Sequence, residues 1–457
     1  MNFMYRIPLL LTLLFCSFYA SSQNWAGFET GRFSGISSAN QRPASMAPMP
    51  YKVDITLFGL HVNTQPKNLF SKDFLKVALS GGFKNLSGFH ELRNRTSVFS
   101  NLQGPSIQVQ AHEKVALAFS WNVRYLWLSD LTEPKVAQLF NPELESLELQ
   151  GENETVNILY TGWDEFGLGA AGVVWDEGFH SISLGGFAKL VFGTGHMDIA
   201  MQNVNVDASG NTVNHADFSI DATVTDAMNE LVDDGKLRFA DKVGYGFDFG
   251  FEYKFLNPRS CPGASNARAK VGFSITDIGK AFYNSATHSS KTNASADSIS
   301  RDVFHNSFTN TTDTLQQIFE LNEQALTDFN VTLPMSVRVY TEVNIRRRLV
   351  VYGEFHFLFA QLAHPDMPMY FRFNVTPRFE DDRFGIYLPL TTTNYTPFDA
   401  GLALRLKPLV FGSGNLFSFW AYEERGKALD FYVTLKIPIL NDDERIDWVT
   451  MNRKKKR

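Results

Sequence analysis

Ionisable residues in this chain recur at alternate positions within short segments. Asp248, Glu252 and Lys254 share one parity, as do Arg338 and Glu342, Glu354 and His356, and Arg372 and Arg378. Interleaved charges of both signs on one face make no bonds by themselves. They suit ion pairing across a polar interior, where part-buried ions need partners. The predicted interior network comprises Arg124, Asp248, Glu252, Lys254, Arg338, Glu342, Glu354, Arg372, Arg378 and Arg405. The sequence carries no nucleophile elbow, no His pair at metal spacing on a helix, no phosphate loop and no Cys cluster. His356 lies two residues from Glu354, but a metal site needs three or four convergent ligands. The chain is therefore read as a non-enzyme that uses no cofactor or metal. Its net charge of -6, with no basic stripe, offers nothing to nucleic acid.

The elements that position these charges follow from one segment, Val243 to Phe255. Every odd position is apolar, mostly Phe or Tyr, and every even position is Gly or charged. A period of two sends odd and even residues to opposite faces of a strand. A bare aromatic face needs lipid, and a face of Gly, Asp, Glu and Lys needs a polar space. Both needs are met in a transmembrane β-barrel. The alternation returns at Val115–Trp127, Phe371–Val375, Phe398–Leu406 and Leu429–Ile437. The 41 Phe residues and a mean hydropathy of only -0.16 agree with apolarity spread by alternation. No apolar run beyond the N-terminus reaches the roughly 18 residues of a spanning helix.

The fold class expected is all-β, an antiparallel transmembrane barrel of about 14 strands. Residues 197–206 and 214–222 offer a further hairpin that would make about 16. Short connections alternate with long ones, as turns and outer loops do in such barrels. The thirteenth strand is placed near Leu416–Ala421. Among the long loops, Asp313–Phe329 has helix-like spacing, and Thr225 suits the cap of a short helix containing Met228, Leu231 and Val232. Residues 1–22 read as a signal peptide, with Arg6, an apolar core and the small residues Ala20-Ser21-Ser22, so the chain is expected to be exported to a Gram-negative outer membrane. Residues 23–50 form an N-terminal periplasmic segment, 51–440 the barrel, and 441–457 a periplasmic tail ending in basic residues. Once the signal is removed, Cys261 is the one remaining cysteine and has no partner for an internal disulfide. An outer aromatic girdle is read from Trp121, Tyr125, Trp127, Trp163, Trp175 and Trp420.

Several stretches resemble an uncharacterised outer-membrane barrel family of Bacteroidetes-type bacteria. They include Trp25-Ala26-Gly27, Asn40-Gln41-Arg42-Pro43-Ala44-Ser45-Met46, Gln103-Gly104-Pro105-Ser106, Asp248-Phe249-Gly250-Phe251, Ser274-Ile275-Thr276-Asp277-Ile278-Gly279 and Thr376-Pro377-Arg378-Phe379-Glu380. The Pro43-Ala44 neighbourhood is also similar to the Asn-Pro-Ala segment of FadL-like transporters and PorV-type barrels, with Arg42 in place of the Asn. That similarity implies a lumenal hatch formed by Asn40, Arg42, Pro43 and Ala44. It further implies passage or binding of hydrophobic small molecules, in a pocket using Phe70, Phe74, Leu75, Ile318 and Phe319. The alternative it implies is a non-transporting barrel that holds a protein partner through its outer loops or C-terminal tail, for secretion or surface assembly. Membrane lipid is a partner in either case.

Overall fold

The computed structural model describes residues 27–65, 95–131, 146–149, 154–177, 179–209, 212–228, 240–256, 267–300, 318–327, 329–346, 348–362, 369–381, 383–394, 398–417 and 429–440. The expected signal segment 1–22, residues 23–26, the tail 441–457, Cys261, Trp420, Phe70, Phe74 and Leu75 lie outside them.

The strands in chain order begin with β1 (Tyr51–Gln65), β2 (Arg95–Gln103), β3 (Ser106–His112), β4 (Val115–Leu131) and β5 (Ser146–Leu149). They continue with β6 (Thr155–Glu177), β7 (His180–Ser209), β8 (Thr212–Thr225), β9 (Gly244–Leu256), β10 (Ala267–Phe282) and β11 (Ser285–Ser300). Next come β12 (Asn322–Thr327), β13 (Asn330–Thr332), β14 (Met335–Arg346), β15 (Leu349–Phe359) and β16 (Tyr370–Glu380). The last are β17 (Phe384–Tyr387), β18 (Leu390–Thr393), β19 (Asp399–Ala400), β20 (Leu402–Leu406), β21 (Leu409–Ser413) and β22 (Leu429–Leu440).

All neighbouring pairs are antiparallel, and β22 returns to pair with β1, from Tyr51↔Leu440 to Thr64↔Leu429. The sheet is thus closed, and its wall has 14 strands. Three wall strands are each made of two segments: β2 with β3, β17 with β18, and β19 with β20. The first break falls at Gly104-Pro105. Pro cannot donate to a ladder, while Gly104 donates its N–H to the Trp121 carbonyl at 2.9 Å and lies under the Trp121 ring. Closure leaves no exposed sheet edge in the wall, as hydrocarbon demands. The outward faces carry Leu168, Tyr245, Phe247, Phe249, Phe251, Phe273, Phe355 and Phe431, all exposed. The inward faces carry the buried Asp248, Glu252, Arg338, Glu354, Arg372, Arg378 and Lys436. Apolar outside and polar inside is the layout of an outer-membrane barrel.

Several expectations are corrected. The thirteenth strand is β21, paired to β20 across the turn at Lys407-Pro408, and not Leu416–Ala421; Leu416 and Phe417 lie past its end. Residues 197–206 and 214–222 do form a hairpin, the far part of β7 with β8, but it stands beyond the wall. There β7, β8, β11 and β12 pair in that order to make a distal sheet, with β5 on the other side of β7. Of the stretch 313–329, the described residues begin with a helical turn at Ile318 and Phe319, and Asn322–Thr327 then runs as strand β12. Helix-like spacing was outweighed by pairing to β11, which supplies the backbone partners that β12 needs. Ile318 and Phe319 serve the core of this sheet, where Phe319 packs on Phe218 with ring centroids 4.7 Å apart. Thr225 does accept a hydrogen bond from the Met228 amide, at 3.3 Å, while Leu231 and Val232 lie outside the described residues. Trp163 points into the lumen and is completely buried, so it is not part of the outer girdle. Its ring gains Arg124 above it at 4.8 Å, and its Nε1 donates to Glu165 at 3.1 Å.

Phe249, 57% exposed, lies midway along the lipid face of β9. Arg here should cost about 2–4 kcal/mol by the depth-dependent cost of a lipid-facing cation. Phe249→Arg is expected to lower the fraction of protein that keeps its compact, heat-modifiable band in detergent electrophoresis, whereas lumenal Gly246→Ser should leave that fraction near wild type.

Candidate functional site: a plugged, charge-lined lumen

Residues 27–50 lie inside the barrel. Three short turns, Phe28–Thr30, Ile36–Ala39 and Pro43–Met46, fold the segment back on itself. Gly27 and Gly35 both have positive φ (91° and 58°), which L side chains rarely adopt. The segment is pinned at the seam of the barrel. Asp54 of β1 accepts the Ile36 amide at 3.2 Å and pairs with Lys436 of β22 at 2.9 Å, and Lys436 also donates to the Ser34 carbonyl at 2.6 Å. Farther round, Ser183 and Lys254 both donate to the Ala47 carbonyl, at 2.9 and 2.7 Å.

The four residues expected to form a hatch, Asn40, Arg42, Pro43 and Ala44, have distinct surroundings. Asn40 donates to Asn122 of β4 at 3.4 Å. Pro43 and Ala44 rest on a bare patch made by Gly185 and Gly250, which face each other across β7 and β9. A Cβ on Gly250 would come within 2.8 Å of the Ala44 nitrogen, and one on Gly185 within 2.5 Å of the Pro43 oxygen. Gly185 and Gly250 thus let the plug backbone meet the wall. Arg42 is buried between two aromatic rings, 5.2 Å from the centre of Tyr340 and 5.0 Å from that of Tyr352. Its Nη2 also donates to Ser38 Oγ at 2.7 Å and to the Glu29 carbonyl. The rings themselves are held by acids, since Tyr352 donates to Glu354 at 2.6 Å and Tyr340 to Glu252 at 3.3 Å.

The predicted network residues all reach the interior, where they sort into groups. Arg124 binds both oxygens of Asp277, at 2.7 and 2.9 Å, and lies 3.4 Å from Glu165. Asp248 pairs with Lys189 at 2.7 Å, and Lys189 also meets Asp277 at 2.9 Å. Glu252 pairs with Lys254 at 3.1 Å. Glu342 joins Arg378 at 2.7 Å and Lys270 at 3.2 Å, and Arg378 also grips Glu380 at 2.7 Å. Arg338 donates to Thr276 at 3.3 Å, and Arg372 lies 3.5 Å from Glu29. Arg405 sits over the Phe33 ring at 4.3 Å. Direct register Arg338↔His356↔Arg372 aligns three basic side chains along one row of the wall. Among the described residues no three of His, Cys, Asp and Glu are arranged to hold a metal.

Sequence reasoning missed Asp277 and Glu165, at the centre of the network. Strict alternation places Asp277 with Phe273 and Ile275 on the lipid face. A bulge between Ile275 and Ile278 breaks the pairing to β9, and Asp277 takes φ 65°. The extra residue turns its carboxylate inward, where Asp248 accepts its N–H at 2.8 Å. The signal was present: the apolar series 271, 273, 275 resumes at 278, one residue out of phase. Glu165 follows Trp163 into the lumen, and reading that Trp as an outer anchor hid both.

On the loop side of this network the lumen turns apolar. Phe99, Leu126, Leu128, Leu358 and Tyr370 are all buried there. Phe99 from β2 meets Tyr370 from β16 edge to face at 5.0 Å, so side chains of well-separated strands touch across the interior.

Arg42→Ala should free the plug at a cost of roughly 3 kcal/mol, because it strands paired groups in a buried setting. The expected result is faster labelling of a cysteine placed at position 38, with the barrel still folded. Gly250→Val should do the same by steric exclusion. Glu29 supplies a pH dependence. Its carboxyl is wholly buried, neither oxygen has a hydrogen bond, and burial pushes its pKa up to about 8 against the pull of Arg372. A docked value above that of an exposed Glu means docking is favoured by protonation. The gain is full below roughly pH 4 and is lost as pH rises through about 8. Plug protection in hydrogen exchange is expected to fall across that window, and Glu29→Gln to flatten the fall.

The P. putida toluene transporter TodX superposes with a TM-score of 0.45 at 11% identity, covering 90% of this chain and 95% of that one. The Ralstonia pickettii toluene transporter TbuX gives a TM-score of 0.45 at 9% identity, with 92% and 96% covered. A Pseudomonas aeruginosa FadL homologue gives 0.43 at 10% identity, with 92% and 99% covered. No curated protein sequence matches the chain. The family of unknown function DUF5723 matches residues 43–414, from the plug's Pro43 to just past the thirteenth wall strand. This chain belongs to that family.

Proposed function

We propose that this outer-membrane barrel binds small hydrophobic molecules in the apolar layer at the loop end of its lumen and passes them inward when the N-terminal plug shifts. The observation that carries this reading is the Phe99–Tyr370 contact and the apolar residues around it. A general porin has no use for apolar side chains meeting across its lumen, whereas a site for hydrophobic solutes is lined in this way. The layer takes the place of the pocket expected from Ile318 and Phe319. The plug then acts as the hatch: Arg42, Pro43 and Ala44 hold it to the wall and Asn40 faces the network. The reading assigns the protein no catalytic activity.

A second reading, a barrel that holds a protein partner, is favoured by the distal sheet. Among the described residues its strand β12 is mostly exposed and lies beside β11 at the margin of the sheet, where another chain can add. Recovery of a stoichiometric protein from gently solubilised membranes would support it.

Ser274 Oγ donates to the Gln41 carbonyl at 2.8 Å, so plug and wall are close enough there for a crosslink. With cysteines at 41 and 274 oxidised, uptake of a hydrophobic fluorophore into proteoliposomes is expected to stop, and reductant to restore it. Undiminished uptake through the locked protein would refute passage through the lumen.

A further inference from the structure

The short turns at the plug end of the barrel differ in charge around the rim. β14 runs into β15 through Arg346-Arg347-Arg348, β16 into β17 through Asp381-Asp382-Arg383, and β20 into β21 through Lys407-Pro408. By sequence these turns hold five cations against two acids. On the far side, where β3 meets β4 and β6 meets β7, Glu113, Lys114, Asp176 and Glu177 give three acids against one cation. That cation, Lys114, is paired with Asp176 at 3.1 Å.

The basic turns form one continuous surface. The Arg348 carbonyl accepts the Glu380 N–H at 3.0 Å, and the Arg383 carbonyl accepts the Lys407 N–H at 3.3 Å. Arg346 and Arg383 are exposed, Lys407 is partly so, and Arg348 pairs with Asp381 at 3.3 Å. Each turn leaves the wall at the edge of its apolar outer face. Ile345 precedes Arg346, Leu349 follows Arg348, Phe384 follows Arg383 and Leu406 precedes Lys407, and all four of these apolar residues are exposed. Cations placed directly beside hydrocarbon-facing residues stand at the level of the headgroups. Neighbouring turns are two strands apart, about 10 Å, so the three span an arc of roughly 20 Å. That is too wide for one small anion and suits a row of them.

We propose that this sector of the rim binds the anionic headgroups of membrane phospholipids, so that acidic lipid gathers against β14–β21 and not against β3–β7. The charge supplies the attraction, and the exposed apolar residues beside it place that charge in the plane of the phosphates. The site is independent of what the lumen carries and requires only that the barrel lie in a membrane. Residues 453–457 are five further cations on the segment that follows β22, so the test separates them from the rim.

The full-length protein is extracted from bilayers of phosphatidylethanolamine with a minority of phosphatidylglycerol, and the lipids it retains are counted by native mass spectrometry. Retained phosphatidylglycerol is expected to be enriched over the bilayer by about fivefold, the attraction of one basic residue to an acidic surface. High salt should bring the ratio back toward that of the bilayer. Arg346→Gln, Arg383→Gln and Lys407→Gln together should abolish the enrichment, whereas Lys114→Gln and removal of residues 453–457 should leave it. Absence of enrichment in the wild type would overturn the proposal, as would its persistence in the triple variant or its loss with residues 453–457. Displacement of the lipid by millimolar inorganic phosphate would mark a site for a small anion and overturn the lipid surface. Binding of polyglutamate through the same three residues, without lipid enrichment, would give the surface to an acidic protein instead. Should the triple variant lose its heat-modifiable band, Arg383→Gln alone is expected to lower the enrichment by roughly half.

Discussion

The constraint on which everything else depends is closure of the sheet. In hydrocarbon a backbone N–H or C=O has no water to turn to, so every wall strand must pair on both sides. The ladder of β1 with β22 meets that demand. Closure at this size encloses a wide interior, and the interior then has to be filled. The chain fills it with its own N-terminal segment, which is tied to the seam by Asp54 and Lys436. The residues that close the barrel thus also hold its plug.

Filling the lumen with charge raises a second demand. Buried ions are costly unless paired and hydrogen-bonded, and removing one partner costs more than the pair contributes. The interior meets this with compact groups. The densest, Arg124, Lys189, Asp248, Asp277 and Glu165, depends on one irregular residue. Asp277 enters the lumen only because β10 bulges and accepts a left-handed backbone conformation. Such conformations persist where the surroundings hold them, and here two cations and the Asp248 carboxylate, which accepts the Asp277 N–H, do so. The plug sits directly against this group, which couples its position to the network.

Along the lumen the character changes from polar to apolar. Plug and ion pairs occupy the turn side, the Phe99–Tyr370 layer the loop side, and a small polar cavity separates them. Two seals of different chemistry stand in series. One is held by hydrogen bonds and cation–π contacts and responds to charge. The other is held by apolar packing. The distal sheet, continuous with β7, shields part of the wall as well: Tyr125 and Trp127 pack against Tyr160, Val224 and Met228.

What the sequence determined by itself was whatever has a period of two. Alternation alone established most of the wall strands, the side on which most of their residues face and the presence of a polar interior, because strand geometry turns parity into facing. Arg42, Pro43 and Ala44 stood out by motif, yet nothing local tells that Arg42 would lie between Tyr340 and Tyr352, some three hundred positions away. The tertiary structure decided the rest. Apart from Glu252–Lys254 and Arg378–Glu380, which lie two residues apart on one strand, the ion-pair partners come from different strands, and neither parity nor spacing can match those. Asp277 and Trp163 faced inward against expectation, the first through a bulge, which shifts phase by one residue, and the second because a Trp fits either face. The loop ribbons joined the wall as a distal sheet because strand pairing with β7 and β11 outweighed local helical spacing. Periodicity is a property of a segment, but partnership depends on how the barrel closes.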